Sequence, residues 1–288
     1  MSDEMISGYG CRMAKVCEYI QTHLDDDLSV NHLSQVAHFS RYHFHRQFAN
    51  FVGVNVTRYI LLARLKRAAY QLIFEPKRRV IDIAFDAGFE NPESFSRAFK
   101  QICYQTPSQF KQKPDWAIWN ELFKLTRIER NIEMNVDVVV FPETKVAVLE
   151  HKGSPDLINE SVAKFIEWRK QSGLSPVGTS DSFGIVYNNP NTVAPEEFCF
   201  DLCGSVSEEV PENVWGVSNN TISGGRCVKI RHLGSRDDIE KPICHLYGQW
   251  LPESGEELRD APLFFHYINL FPEVDEHALI TDIYLPIK

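Results

Sequence analysis

Hydrophobic positions recur at helical spacing through the first 112 residues and at alternating spacing after Glu133. In residues 12–24, Met13, Val16, Cys17, Ile20 and Leu24 form the stripe that an amphipathic helix buries. Ser29 then caps a short predicted helix containing Val30, Leu33, Val36 and Ala37. Ser40 caps the next, in which Phe44, Phe48 and Phe51 point one way and Tyr42, His45, Arg46 and Ala49 the other, before Gly53 ends it. Residues 29–51 thus read as a helix-turn-helix whose second helix is 41–51. Residues 56–74 carry the longest helical pattern, with Arg64, Lys66 and Arg67 clustered, and predict a rod between two modules. Val80–Phe85 opens the second module. Gly88 suits a tight turn, Asn91 is a good N-cap, and Pro92 sits at the first helical position, where its missing N–H costs nothing. Phe95, Phe99 and Ile102 would pin that helix to a core, leaving Glu93, Ser96, Arg97 and Lys100 on its other faces. Thr106-Pro107 repeats the cap-and-proline device for one more short helix.

Residues 113–132 predict a linker with Trp116, Trp119, Leu122 and Phe123 as docking residues. Beyond it, alternation predicts strands at 134–141, 145–152, 182–188 and 197–206, with a helix at 157–171 carrying Val162, Phe165, Ile166 and Trp168. The pattern then recurs. His151, Gly153, Ser154 and Ile158 return 81 residues later as His232, Gly234, Ser235 and Ile239. The second copy predicts strands near 217–222, 226–233, 263–270 and 279–287 and a helix at 236–250, so this half is a duplicated β-α-β-β unit.

Charge divides the chain the same way. The whole carries a net charge of −9, yet residues 1–115 hold 15 Lys and Arg against 12 Asp and Glu, leaving 15 against 27 for the rest. The basic excess therefore accompanies the helix-turn-helix pattern, and the acidic half has another task. At 43% hydrophobic and 24% charged, the composition is that of a globular protein long enough for two domains. No apolar run reaches the length of a membrane span, so no membrane partner is expected. The N-terminus lacks the pattern of a signal peptide, and the seven cysteines form no C-x-x-C pair, so the expected compartment is the reducing cytoplasm. Cys199 and Cys203 share a strand face and suit a core. His43 and His45 lack a Cys or Asp to complete a ligand set. Neither metal nor cofactor is expected.

The segment Gly88–Phe110 resembles the signature of AraC/XylS-family transcription regulators, F-x-N-x-x-x-F-x-R-x-F-K followed after four residues by x-[ST]-P and an aromatic. Phe89, Asn91, Phe95, Arg97, Phe99, Lys100, Thr106, Pro107 and Phe110 match; Tyr104 stands where the family usually has Gly. The resemblance covers about residues 12–112. It implies an all-α domain with two helix-turn-helix modules on a connecting helix, each recognition helix entering a major-groove segment of double-stranded DNA about one turn apart. The family pattern makes Tyr42, His45 and Arg46 of the first module, and Pro92, Glu93, Ser96 and Arg97 of the second, the candidates for base contact, with Lys100 beside them. Arg46 and Arg97 lead because a guanidinium can bridge O6 and N7 of guanine, although an arginine so placed can equally bind phosphate. Pro92 and Glu93 stand where relatives often carry amides, which implies a different target sequence.

The second half resembles the GyrI-like effector-binding domain through G-I-V-Y-N-N-P (184–190), P-E-E-F-C-F-D-L-C (195–203), W-L-P-E-S-G-E-E-L-R-D-A-P (250–262) and T-D-I-Y-L-P (281–286). The order of the two halves is similar to the Rob-type arrangement: DNA-binding domain 1–112, linker 113–133, effector-binding domain 134–288. In this family the duplicated halves form one curved surface with a groove for small, often aromatic and cationic, ligands. The resemblance implies an effector site including Phe265, Tyr267, Tyr187, Trp168 and Trp250, and favours activation by contact with RNA polymerase. Cation-binding relatives typically read x-F-E-x-Y after the S-G-x-E-L-R-D-A-P match. Here Leu263-Phe264-Phe265-His266-Tyr267 puts Phe265 in the carboxylate's place, and alternation puts His266 on the opposite face. The expected effector is accordingly neutral, hydrophobic or aromatic. Three alternatives remain open: a groove that Phe265 fills and that binds no small molecule; a hydrolase, for which Cys203, His232 and His266 are present but in no nucleophile motif; and a protein-binding module. No catalytic residues are assigned.

Overall fold

The structure is a computed structural model and describes residues 3–116, 118–119, 134–190 and 193–288, apart from the side chains of residues 3–11 and of Tyr42. It divides into two compact units, Met1–Asn131 and Ile132–Lys288.

The first unit is helical: α1 (Asp3–Thr22), α2 (Val30–Val36), α3 (Arg41–Val52), α4 (Val56–Phe74), α5 (Val80–Asp86), α6 (Pro92–Cys103) and α7 (Pro107–Gln112). α4 serves two cores. Val56, Tyr59 and Ala63 pack with Met13, Val16, Ile20, Leu33, Phe44 and Phe48, while Leu65, Ala69 and Leu72 pack with Ile83, Phe95, Phe99, Ile102 and Phe110. Trp116 and Trp119, expected in a linker, belong to this second core. Their rings continue an edge-on series running Phe99–Phe110–Trp116–Trp119, with centroids 5.4, 5.8 and 5.5 Å apart. Leu122 and Phe123 lie outside the described residues.

The basic cluster on α4 is turned inward. Arg64 donates from Nε to the Leu24 carbonyl at 3.0 Å and from Nη2 to the Asp26 carbonyl at 3.3 Å. Arg67 pairs with Asp25 and also donates to the Asp86 carbonyl at 2.9 Å. These two side chains tie the loop after α1 to the end of α5 and so fix one module against the other. Gly88, at φ 77°, is required here twice over, because a Cβ would lie 2.7 Å from Arg64 Nη1. Lys66 is also buried, near the ring of Trp119.

α6 ends without the family's glycine. Tyr104 itself adopts the left-handed conformation (φ 55°, ψ 3°) and leaves its ring 69% exposed. That conformation costs an L-residue about 1–2 kcal/mol, and little packing offsets it. Tyr104→Gly is therefore expected to raise the stability of this unit by about 0.5–1 kcal/mol, after allowing for the greater chain entropy of glycine. Denaturant unfolding measures it; a loss of stability would mean that the exposed ring contributes packing.

The second unit is an eight-stranded antiparallel sheet: β1 (Val136–Phe141), β2 (Thr144–Lys152), β3 (Ser182–Val186), β4 (Cys199–Ser205), β5 (Ser218–Ile222), β6 (Gly225–Leu233), β7 (Leu263–Tyr267) and β8 (Ile280–Pro286), in the order β1-β6-β8-β7-β3-β4-β2-β5. Exchanging β1–β4 for β5–β8 reverses that order onto itself, so the duplication is a pseudo-twofold. The axis passes between the central strands β3 and β7, where Gly184 faces Phe265. α8 (Ile158–Ser172) and its counterpart α9, made of Glu240–His245, a wide π-turn at Leu246–Trp250 and Leu251–Ser254, cover one sheet face. The helix predicted at 236–250 is thus of the same length but later, running from Glu240 to Ser254: Arg236–Asp238 is a 3-10 turn, and the wide turn ends two residues before Pro252, which has no N–H to continue the ladder. The other face carries a second apolar layer drawn from the strands, including Phe141, Val146, Phe183, Phe264 and Tyr284.

Candidate functional site

In the first unit, burial sorts α3 and α6 into inner and outer faces. Phe44 and Phe48 are fully buried, and Gly53 closes α3 in the left-handed conformation. Phe51, expected beside them, is 45% exposed, since it stands at the last turn, beyond the α1–α4 core. His45 and Arg46 are exposed, and Tyr42 lies among the side chains not described. On α6, Asn91 Oδ1 accepts from the Ser94 N–H at 2.8 Å, which fixes the helix start. Phe95 and Phe99 are buried, Pro92 and Ser96 are half-buried, and Glu93, Arg97 and Lys100 are exposed.

Among the described residues, Arg46, Arg97 and Lys100 make no hydrogen bond or ion pair, whereas Arg64, Arg67, Arg78 and Arg79 are all engaged within the unit. Among the described residues, the outer faces of α3 and α6 thus present free guanidinium groups. An unpaired guanidinium on an exposed helix face is available to phosphates and base edges alike.

In the second unit, Phe265, Tyr267, Trp168 and Trp250 join one apolar cluster beneath α8 and α9. Trp168 is buried and stacks on Phe165, with centroids 5.5 Å apart and planes 9° apart. The Phe265 and Tyr267 rings are 6.2 Å apart, and Phe200 is 6.3 Å from Phe265. Gly184 completes this arrangement at the pseudo-axis: a Cβ there would lie 2.4 Å from Phe200 Cζ and 2.6 Å from the Tyr267 hydroxyl. Burial pushes the Tyr267 phenol up to about 12, against the pull of the nearby Arg236. Arg236 stands over the Tyr267 ring, 4.2 Å from its centroid.

Tyr187 is not part of this set. It follows Phe183 and Ile185 in alternation onto the opposite sheet face, where its hydroxyl donates to Asp201 at 2.7 Å. Burial raises the Tyr187 phenol and the Asp201 carboxyl, the hydrogen bond partly opposing the rise at Asp201. His266 is on that face too, 3.2 Å from Asp181 and tilted against Phe183. A cavity of about 250 Å³ opens there between Phe141, Phe183, Lys229, His266 and Tyr284. For nucleophilic chemistry, burial holds the Cys203 thiol well above its usual value, which disfavours the thiolate. His232 is buried with Nε2 2.7 Å from the Ser235 carbonyl.

Sequence reasoning did not single out Gly184, Phe200 or Arg236. A signal for Arg236 was present: the displacement of 81 pairs it with Pro155, so the repeat changes from an apolar residue to a cation at that position.

Comparison with known proteins agrees with both halves. The family model for the GyrI-like small molecule binding domain matches residues 134–288, and that for a helix-turn-helix domain matches residues 33–113. The chain is 50% identical over 157 residues to the probable transcriptional regulator YgiV of Escherichia coli (strain K12), a match covering 54% of this chain and 98% of that one. It is 23% identical over 240 residues to the right origin-binding protein of the same organism, covering 81% and 82%. An uncharacterized HTH-type transcriptional regulator, YbfP of Bacillus subtilis (strain 168), is 37% identical over 103 residues, 36% of this chain and 35% of that one.

Proposed function

The chain belongs to the family of GyrI-like small molecule binding domains, joined here to an AraC-type helix-turn-helix domain as in transcriptional regulators, and on that premise we propose that it binds duplex DNA through α3 and α6 and responds to a neutral or aromatic small molecule in the groove of its second unit. Arg46 and Arg97 are the groups that read or grip the DNA, with Lys100 adding charge. Phe265, Tyr267, Trp168 and Trp250 form the effector surface.

The observation that supports the effector reading is Phe265, buried on the face of β7 beneath α8 and α9, at the position where the resemblance implies a carboxylate in cation-binding relatives. A cation entering there would be desolvated without a counter-charge. Cation–π attraction would recover part of that cost, but Arg236 already occupies a face of Tyr267.

Calorimetry on the full chain tests this with two probes of one shape, 2-naphthamide and (2-naphthylmethyl)trimethylammonium. The amide is expected to bind about tenfold more tightly, and Phe265→Glu to reverse the order, as a carboxylate in a low-dielectric site favours a cation. Tighter binding of the ammonium by the unmodified chain, with no gain from the added carboxylate, would show that the groove charge is set elsewhere.

A further inference from the structure

The five arginines of residues 134–288 have different fates. Arg226 is paired with Glu256 and Arg231 with Asp282. Arg169 is buried but satisfied by the Ser175 and Ser180 carbonyls and the Ser182 hydroxyl, and Arg259 donates from Nη1 to the Gly224 carbonyl although its Nε is buried and unmet. Arg236 is different. Its Nε and Nη2 are buried and without a hydrogen-bond partner. No side-chain hydrogen bond or ion pair is formed by this guanidinium among the described residues, and its contact is with the Tyr267 ring, 4.2 Å away.

Leaving a buried guanidinium N–H unmet is costly, and native structures rarely retain such groups without a reason. Of the acidic side chains nearby, Glu276 is engaged by the Ser235 hydroxyl, from which it accepts at 2.5 Å. The 3-10 turn Arg236–Asp238 leads directly into α9, so Arg236 stands where that helix meets the aromatic surface. Its counterpart in the first repeat, Pro155, provides no charge. The two equivalent positions of the pseudo-twofold therefore carry one cation and one neutral residue.

We propose that Arg236 receives the anionic end of the effector, so that the ligand is an aromatic or hydrophobic carboxylate whose apolar body lies against Phe265 and Tyr267. This rests on the aromatic surface of the reading above and replaces its neutral ligand with an anionic one. A guanidinium presents parallel N–H donors that match a carboxylate, and the buried setting strengthens the pair. The preference would be local in origin. Residues 116–288 hold 27 Asp and Glu against 15 Lys and Arg, so the field of the domain as a whole repels anions.

The test adds 2-naphthoate to the two probes, with calorimetry on the full chain and on Arg236→Gln. The unmodified chain is expected to bind the carboxylate at least about tenfold more tightly than the amide, the scale of a charge-assisted hydrogen bond. Arg236→Gln should abolish that ratio, lowering carboxylate affinity more than amide affinity. Should the variant fold poorly, the arginine Nε–H resonances of the unmodified chain provide a second readout: naphthoate should shift one of them, and naphthamide should not. Equal binding of carboxylate and amide, or a ratio that survives Arg236→Gln, would overturn the role of Arg236 and leave the groove reading standing. Failure of all three probes to bind would overturn both.

Discussion

Phe99→Ala is expected to cost about 3–5 kcal/mol, a large part of the stability of a typical domain, and to abolish DNA binding without altering the second unit. Phe99 is fully buried and sits between Phe95 and Phe110 at 5.6 and 5.4 Å, in the series that ends at Trp116 and Trp119. Truncating it removes the packing that sets the angle of α6. α6 carries Arg97, so a loosened helix no longer presents that guanidinium in a fixed place. Phe51→Ala is the control: at 45% exposure its loss should cost under about 1 kcal/mol. With two units the full chain need not unfold in one step, so the two transitions are to be followed separately. A change below 1 kcal/mol for Phe99→Ala would mean that α6 is held by contacts other than this aromatic series.

Arg97→Ala is expected to weaken binding to a selected DNA site by about 1–3 kcal/mol, equivalent to five- to 150-fold, and to relax preference at one base-pair position. The reason is the freedom of its guanidinium: exposed on α6 and unpaired, in contrast to Arg64 and Arg67, whose groups are consumed inside the unit. Arg46→Ala should act in the same way at a position about one DNA turn away, since α4 fixes the two modules as one body. Competition gel shifts over single-base variants of the site measure both effects. A loss that is uniform across all sequences, with a salt slope smaller by about one, would make the residue a phosphate contact instead. Arg64→Ala or Arg67→Ala should instead weaken binding through stability, because those residues hold the modules together.

Most of the architecture was legible in the chain because each element carried its own local instructions. Asn91 with Pro92 and Thr106 with Pro107 mark helix starts by satisfying, or never possessing, the first N–H groups, and both caps form. The switch from helical to alternating spacing after Glu133 reflects two ways of burying one face, and neither depends on distant partners. The displacement of 81 foretold the pseudo-twofold, since two copies of one β-α-β-β pattern can share a sheet by pairing their equivalent strands β3 and β7. Alternation also separated Phe265 from His266 correctly.

What the sequence could not settle was where each polar side chain found its partner. Arg64, Lys66 and Arg67 stood clustered in the chain, and only the approach of residues 24–26 and 86–88 to the two arginines, and of Trp119 to Lys66, turned them inward. Tyr187 matched the family segment, yet strand parity carried it to the sheet face opposite Phe265 and Tyr267. Gly184 and Phe200 acquired their meaning from a close approach across β3, β4 and β7 that no local pattern encodes. Arg236 is the clearest case. Its charge was visible in the chain, but its lack of a counter-charge is a property of the folded neighbourhood, because burial and pairing are decided by everything that packs around a group and periodicity reports only the face on which it stands.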